Sequence, residues 1–468
     1  MKTILALILA LAPRIISGPA IDGPQAATER IDGFIKAFDK AGTRPIWPGF
    51  DPKAWPLAVF DGERTILLRH PSPPSDFKAM PDRPGWSVFP GRFPAVVGNS
   101  TRDIGGIKTA TVIATPASTV ERSLLACVEE VFHVFWLSHH QGFRPNEMAR
   151  YGYPLGDAEN LRLILAEDEA LARALDAGSD AAAAGWTAAA IRIRRGRTPR
   201  LDADVLAYET GMEMMEGTAN FAARTALGEK TERTASRLRE KRPAEDIRWR
   251  FYETGASLCW LLERLQPDWK TQIDGQPDLT TLALLDKAVS RRSVKPAEFS
   301  TAEAADLKAH AESDIAGLTG RRQQLRKELL DRPGSRVIIE SAEGAEPFTL
   351  GRFDPINLFV LENGEVAQAN FLTLSNAGGT VEMTNPGFAR GSFAGTMGLT
   401  TPAGRHPFGQ GIRAVTIAGI QGEPKVVRDG DTVSVEAPGV RIRLKGATVT
   451  TESGTIRIVL PARPPAQD

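Results

Sequence analysis

The spacing of apolar residues changes twice along the chain. Between Trp55 and Thr115 apolar runs are short and broken by turn residues. "LAVFDGERTILLRH" sets Asp61-Gly62 between two such runs, and "AVVGNSTRDIGGIKTATVIAT" sets Gly105-Gly106 between β-branched segments. Both patterns predict hairpins. After Pro116 the spacing turns helical: Leu124, Val128, Val131 and Phe135 share one face of a helix expected from about Thr119 to Leu137, with Ser118 and Glu121 at capping-box spacing before it. Three more helices are expected, over about Asp157 to Ala177, Asp204 to Leu227 and Ile247 to Leu265. The last two are separated by a basic, polar connection through "GEKTERTASRLREKRP". A charged helical stretch beginning at Thr301 then leads to Pro333-Gly334, which marks a domain boundary.

Beyond that pair the period falls to two. Val440, Ile442 and Leu444 alternate with Arg441, Arg443 and Lys445, and "TIRIVL" repeats the habit after the turn at Glu452, Ser453 and Gly454. Such strands, punctuated by turns such as Asp429-Gly430, predict a sandwich or small barrel. The expected fold class is therefore α+β: a small β-sheet, a mainly helical core and a C-terminal all-β domain. The divisions are residues 1–20, 21–332 and 335–463.

Composition narrows the function classes. At 468 residues the chain exceeds one ordinary core. Lys plus Arg and Asp plus Glu both number 57, so no overall field draws the protein to nucleic acid or an acidic membrane surface. Lys2, the apolar run Ile4 to Ala12 and the small residues Gly18 and Ala20 have the form of a secretory signal peptide cut near Ala20. Pro13 would interrupt the alternative, a buried N-terminal helix. Export to the periplasm or the outside is expected. No later stretch reaches the roughly 18 apolar residues of a transmembrane helix. Cys127 and Cys259, the only cysteines, exclude a disulfide framework and read as buried thiols rather than a bridge.

Candidate chemistry lies in "LLACVEEVFHVFWLSHHQGF". Glu129 and His133 are four apart and Glu130 and His133 three apart, so all three project from one side of an otherwise apolar helix. Burying carboxylates there costs several kcal/mol unless something positive faces them. A second acidic stripe, Glu209, Glu213 and Glu216, recurs at i, i+4 and i+7, with Asn220 continuing it. Met212, Met215, Ala219 and Phe221 surround the stripe, and Gly217 leaves room for another backbone to approach. A packed helix, not a solvated face, is expected. His139 and His140 read as helix-end residues, and His70, His310 and His406 are isolated.

"VEEVFHVFW" resembles, in register, the His-Glu-x-x-His helix of gluzincin metallopeptidases, with Glu129 where the first ligand His would stand. "EGTANF" is similar to their third-ligand segment. "HVFWLSHHQGFRPNE", "YPLGDAENLRLILAEDEALARAL" and "RFYETGASLCWLLERLQPDWK" also look like segments of uncharacterised exported bacterial proteins of that architecture, so the likeness covers about Pro56 to Lys270. It implies a zincin-like core with metal ligands Glu129, His133 and Glu216, Glu130 as general base and Tyr252 as helper of the tetrahedral intermediate. Zn²⁺ is the implied ion. Two carboxylates and one imidazole form a harder, more anionic set than two His plus Glu, which makes Mn²⁺ or Mg²⁺ more competitive. A peptide or protein is the implied partner, with the strand around Thr109 to Thr115 as a surface for an extended chain. Two other classes remain: an inactive pseudopeptidase that binds through a scaffold, and a carboxylate di-iron protein pairing Glu130-x-x-His133 with Glu213-x-x-Glu216.

Overall fold

The computed structural model describes residues 38, 40, 45–115, 118–140, 145–354, 357–362, 364–385, 394–399 and 411–462. The leader pattern and His406 lie outside them. The fold is α+β, with a small sheet, a helical centre of about ten helices and a C-terminal all-strand region. Among the described residues no helix is long and apolar enough to cross a membrane.

The first sheet comprises β1 (Leu57–Phe60), β2 (Arg64–Leu68), β3 (Lys78–Ala79), β4 (Trp86–Pro90), β5 (Ser100–Ile104) and β6 (Ile107–Ile113), in the order β3-β4-β2-β1-β6-β5. Both expected hairpins form. In the first, the Asp61 carboxylate accepts from the backbone N–H groups of Glu63 and Arg64. In the second, Gly105 and Gly106 both have positive φ, 57° and 84°, as a two-residue turn demands. The expectation that β6 offers an edge to a peptide fails. β6 is hydrogen-bonded to β5 on one side and, in parallel, to β1 on the other, which leaves β5 at the edge. Leu57, Val59, Ile66, Leu68, Ala110 and Val112 turn one sheet face toward the helices.

Against that face lies α1 (Val120–His139), through Val128, Val131, Phe132 and Phe135. Its N-cap is Thr119, whose hydroxyl accepts from the Arg122 N–H at 3.2 Å. The Ser118/Glu121 box is therefore off by one residue, and Glu121 instead pairs with Arg233 at 2.7 Å. α2 (Ala158–Asp176) starts on the Asp157 cap as expected, then packs on α3 (Asp180–Arg197), an Ala-rich helix the apolar spacing does not announce.

The helix expected over 204–227 is not continuous. It is α4 (Ala203–Met212), a π-turn (Glu213–Gly217) and α5 (Thr218–Leu227). The "polar connection" after it contains α6 (Thr231–Leu238), whose Thr234, Ala235 and Leu238 are buried. α7 (Ile247–Leu265) has the expected bounds and crosses the π-turn at a glycine-glycine contact: a methyl on Gly217 would lie 2.4 Å from the Gly255 Cα, and one on Gly255 2.6 Å from the Glu213 carbonyl. α8 (Trp269–Gly275), α9 (Thr281–Ser290) and α10 (Thr301–Leu330) complete the helices, the last opening on a genuine capping box of Ser300 and Glu303.

After Gly334 the strands begin at Ser335. A seven-stranded and a six-stranded sheet face each other over one core, so the C-terminal region is a sandwich. Val440, Ile442 and Leu444 are buried there while Arg441, Arg443 and Lys445 are exposed. α10 leans on this region through Leu329, which packs with Leu361 and Ala367, and through Arg326, 2.6 Å from Glu365.

Glycine contrasts test the crossing. Gly255→Ala should cost about 1 to 3 kcal/mol because backbone, not a flexible side chain, blocks the added methyl. Gly196→Ala, in α3 with open space around it, should raise stability by up to about 1 kcal/mol. Urea denaturation of both variants measures the difference, and equal effects would refute the tight crossing.

Candidate metal centre

α1 carries Glu129, Glu130 and His133 beneath the sheet, and the π-turn carries Glu216 toward them. Donor atoms of Glu129, His133 and Glu216 all lie within 4.8 Å of one another, so this group could hold a metal ion. His133 Nε2 is 3.1 Å from Glu216 Oε2. The other Glu216 oxygen accepts from Arg248 Nη2 at 3.1 Å, and the Tyr252 hydroxyl bonds the same carboxylate. Arg248 also donates to the Tyr252 hydroxyl at 2.7 Å and to Glu147 at 3.2 Å, which pins Tyr252 beside the site. Glu129, His133, Glu216 and Tyr252 thus lie together, and Glu130 is near enough for the charges of His133 and Glu216 to act on it.

Electrostatics describe a site short of positive charge. Burial, then the neighbouring Glu216, pushes Glu129 up to about 8. Burial also drives Glu130 up to about 7, with Glu216 adding to the rise against His133, Arg248 and Arg102. Burial works against the His133 cation, yet Glu216, Glu130 and Glu129 raise it to about 9. Burial likewise opposes ionised Glu216, but His133, Arg248 and Tyr252 hold it at about 2. Among the described residues no side chain hydrogen-bonds or ion-pairs with Glu129 or Glu130. A divalent ion fits this donor set. Donors about 2.1 Å from a tetrahedral ion are roughly 3.4 Å apart, so rotamer changes of about an ångström close the group around it.

The acidic stripe does not stay on one face. Glu209 accepts from Arg197 and from the Tyr153 hydroxyl at 2.8 Å, and Glu213 accepts two bonds from Arg194, at 2.6 and 2.7 Å. The π-turn changes the angular advance between Glu213 and Glu216, so only Glu216 reaches His133. Glu213 and Glu216 therefore do not share a site, and the di-iron reading loses its second half. Asn220 is buried with an unpaired Oδ1, and His133 Nδ1 is also buried and unpaired.

Three other described histidines, His70, His139 and His140, have structural partners. His140 stacks on Trp136 and lies 3.0 Å from Asp274, His139 contacts the Phe135 carbonyl, and His70 contacts the Ile104 carbonyl. Cys127 and Cys259 are buried and unbridged. Sequence reasoning asked for a positive group facing the acids without finding Arg248, although its place four residues before Tyr252 on one helix was a usable signal. Gly255 carried none until the crossing was known.

The pKa directions set how stability should depend on pH in metal-free protein. Glu129, Glu130 and His133 are raised on folding, so their contribution is complete below the ordinary values of 4.5 and 6.5 and is lost as pH climbs through about 7 to 9. Glu216 is lowered, and its contribution is lost only as pH falls through about 2. Melting temperature in chelator should therefore decline from pH 5 to pH 9, and saturating zinc should flatten or reverse the decline because metal binding displaces those protons. A chelated protein equally stable at both ends of that range would contradict the charge balance described. No known family, curated protein or solved structure matches this chain, so the site rests on its own geometry.

Proposed function

We propose that the protein is an exported metal-dependent peptidase of the gluzincin type, with Glu129, His133 and Glu216 as ligands. The convergence of these three side chains, with Glu130 beside them, is the observation that carries the reading. A divalent ion bound there would supply Lewis acidity and activate a water at neutral pH. Zn²⁺ suits the His-plus-carboxylate set, and the second carboxylate makes Mn²⁺ a competitor.

Glu130 is raised to about 7, the range in which a carboxylate both takes a proton from water and returns it to a leaving amine. Tyr252 and Arg248 are held beside Glu216 by bonds to it and to each other, and in this reading a donor turned from those bonds would meet the negative charge that develops on a substrate carbonyl. β5, the free edge beside α1, is the strand on which an extended peptide would lie.

One observation favours the second reading, an inactive scaffold. Ligand histidines usually donate their other ring N–H to an acceptor, and His133 Nδ1 has none. Together with Glu129 at the first ligand position, this is the pattern of a weakened site.

Two substitutions separate the readings. Glu130→Gln should lower peptide hydrolysis by roughly 100- to 10,000-fold at unchanged metal content, because shape is kept and the base is lost. Glu129→His should raise zinc affinity relative to Mn²⁺ and raise hydrolysis, because neutral imidazole relieves the charge around Glu130 and Glu216. Zinc-loaded samples against a mixed peptide library, with metal content by mass spectrometry, give both numbers. A parent and a Glu129→His variant that both lack metal and cleave nothing would leave the scaffold reading.

A further inference from the structure

Glu213 is a buried acid that plays no direct part in the metal group. It is 3% exposed and held from two elements at once. Arg194 of α3 grips both oxygens, at 2.6 and 2.7 Å, and Thr254 of α7 donates to Oε1 at 2.6 Å. Arg194 is itself anchored on Glu167 of α2, which also meets Arg197 and Arg250. Glu213 opens the π-turn that ends at Gly217, where α7 touches the backbone.

The local geometry asks for such a clamp. A π-turn is less favourable than continued α-helix and persists where packing requires it. Its wider turn changes the direction of Glu216 relative to Glu213 by on the order of 50°. Relaxing that rotation would swing the Glu216 carboxylate several ångströms, whereas metal-ligand distances tolerate about 0.2 Å. Thr218 supports the same distortion, since its hydroxyl donates to the Met214 carbonyl inside the turn.

We propose that Glu213 is a positioning residue for Glu216: the Arg194 and Thr254 clamp on its carboxylate holds the π-turn in the register that turns Glu216 to His133. The link to metal affinity rests on the metal-site reading above; the link to geometry does not. Glu209 supplies the control, because it is equally buried and bonded to Arg197 but lies in α4, a full turn before the π-turn.

The test uses the full-length protein with Glu213→Gln, Thr254→Val as the milder break of the same clamp, Thr254→Ser as its rescue, and Glu209→Gln. Zinc affinity is measured by competition with a chromophoric chelator, and metal-free Glu213→Gln and Thr254→Val are crystallised. Glu213→Gln should weaken zinc binding by about tenfold or more, Thr254→Val should weaken it in the same direction, and Thr254→Ser should restore it. Glu209→Gln should lower the melting temperature with less than about a threefold change in affinity. The metal-free crystals should show the π-turn relaxed and Glu216 out of reach of His133. Retention of the turn and of the Glu216–His133 contact in both clamp variants overturns the proposal, as does an equal affinity loss in Glu209→Gln. A parent that binds no zinc, with the contact nevertheless lost in the clamp variants, overturns the metal reading and supports the positioning role.

Discussion

Buried carboxylate charge has to be balanced, and the helical centre is arranged around that requirement. One helical run, α4 through α5, brings Glu209, Glu213 and Glu216 into an interior where an uncompensated charge costs several kcal/mol. Glu209 and Glu213 are answered by Arg197 and Arg194, whose guanidinium forks match carboxylates two bonds at a time and stay charged at any working pH. Glu167 binds both arginines and Arg250, so the acids and bases form one connected set among α2, α3, α4 and α7. Glu216 is answered differently, by a histidine, a tyrosine and an arginine that is also shared with Glu147.

That difference separates a permanent neutralisation from an exchangeable one. The arginine set has guanidinium groups committed to defined carboxylates, which gives rigidity. The group around Glu216 has Glu129 and Glu130 pushed into the neutral range, with His133 holding a proton above its ordinary value. Its balance therefore shifts with pH and with any divalent cation that replaces the protons. The rigid set and the adjustable one share the same helical run, so a candidate ligand on a distorted turn is carried by a fixed support.

Much of this was legible in the sequence, for physical reasons that differ by element. Strong periodicity announced α1, α2 and α7 within about two residues, because one apolar face must be buried in each. Alternation announced the strand Val440–Lys445 for the same reason at period two. The close approach at Gly217 was also readable, since a glycine beside an acidic stripe has few other uses. The π-turn was not readable, because i, i+4 and i+7 spacing looks the same whether or not a turn widens. α3 was missed because alanines give no apolar contrast, and nothing local in the sequence marks Arg194 and Arg197 as partners of Glu167, Glu209 and Glu213. The edge assignment of β6 failed because strand neighbours across a parallel pairing, such as β1 with β6, leave no local mark.

Two of these failures, the π-turn and α3, concern the distorted turn and its supports. Glu216 faces His133 because a helix departs from its regular advance there, and that departure is stabilised by residues from α3 and α7 far away in sequence. A motif comparison picks out Glu216 as a candidate ligand but takes its direction for granted. Direction is supplied by Arg194, Thr254 and the Gly217–Gly255 contact, none of which belongs to the motif. The candidate ligand set is therefore only as exact as the packing behind it. Identical letters at Glu129, His133 and Glu216 on a chain lacking that clamp would not assemble the same site.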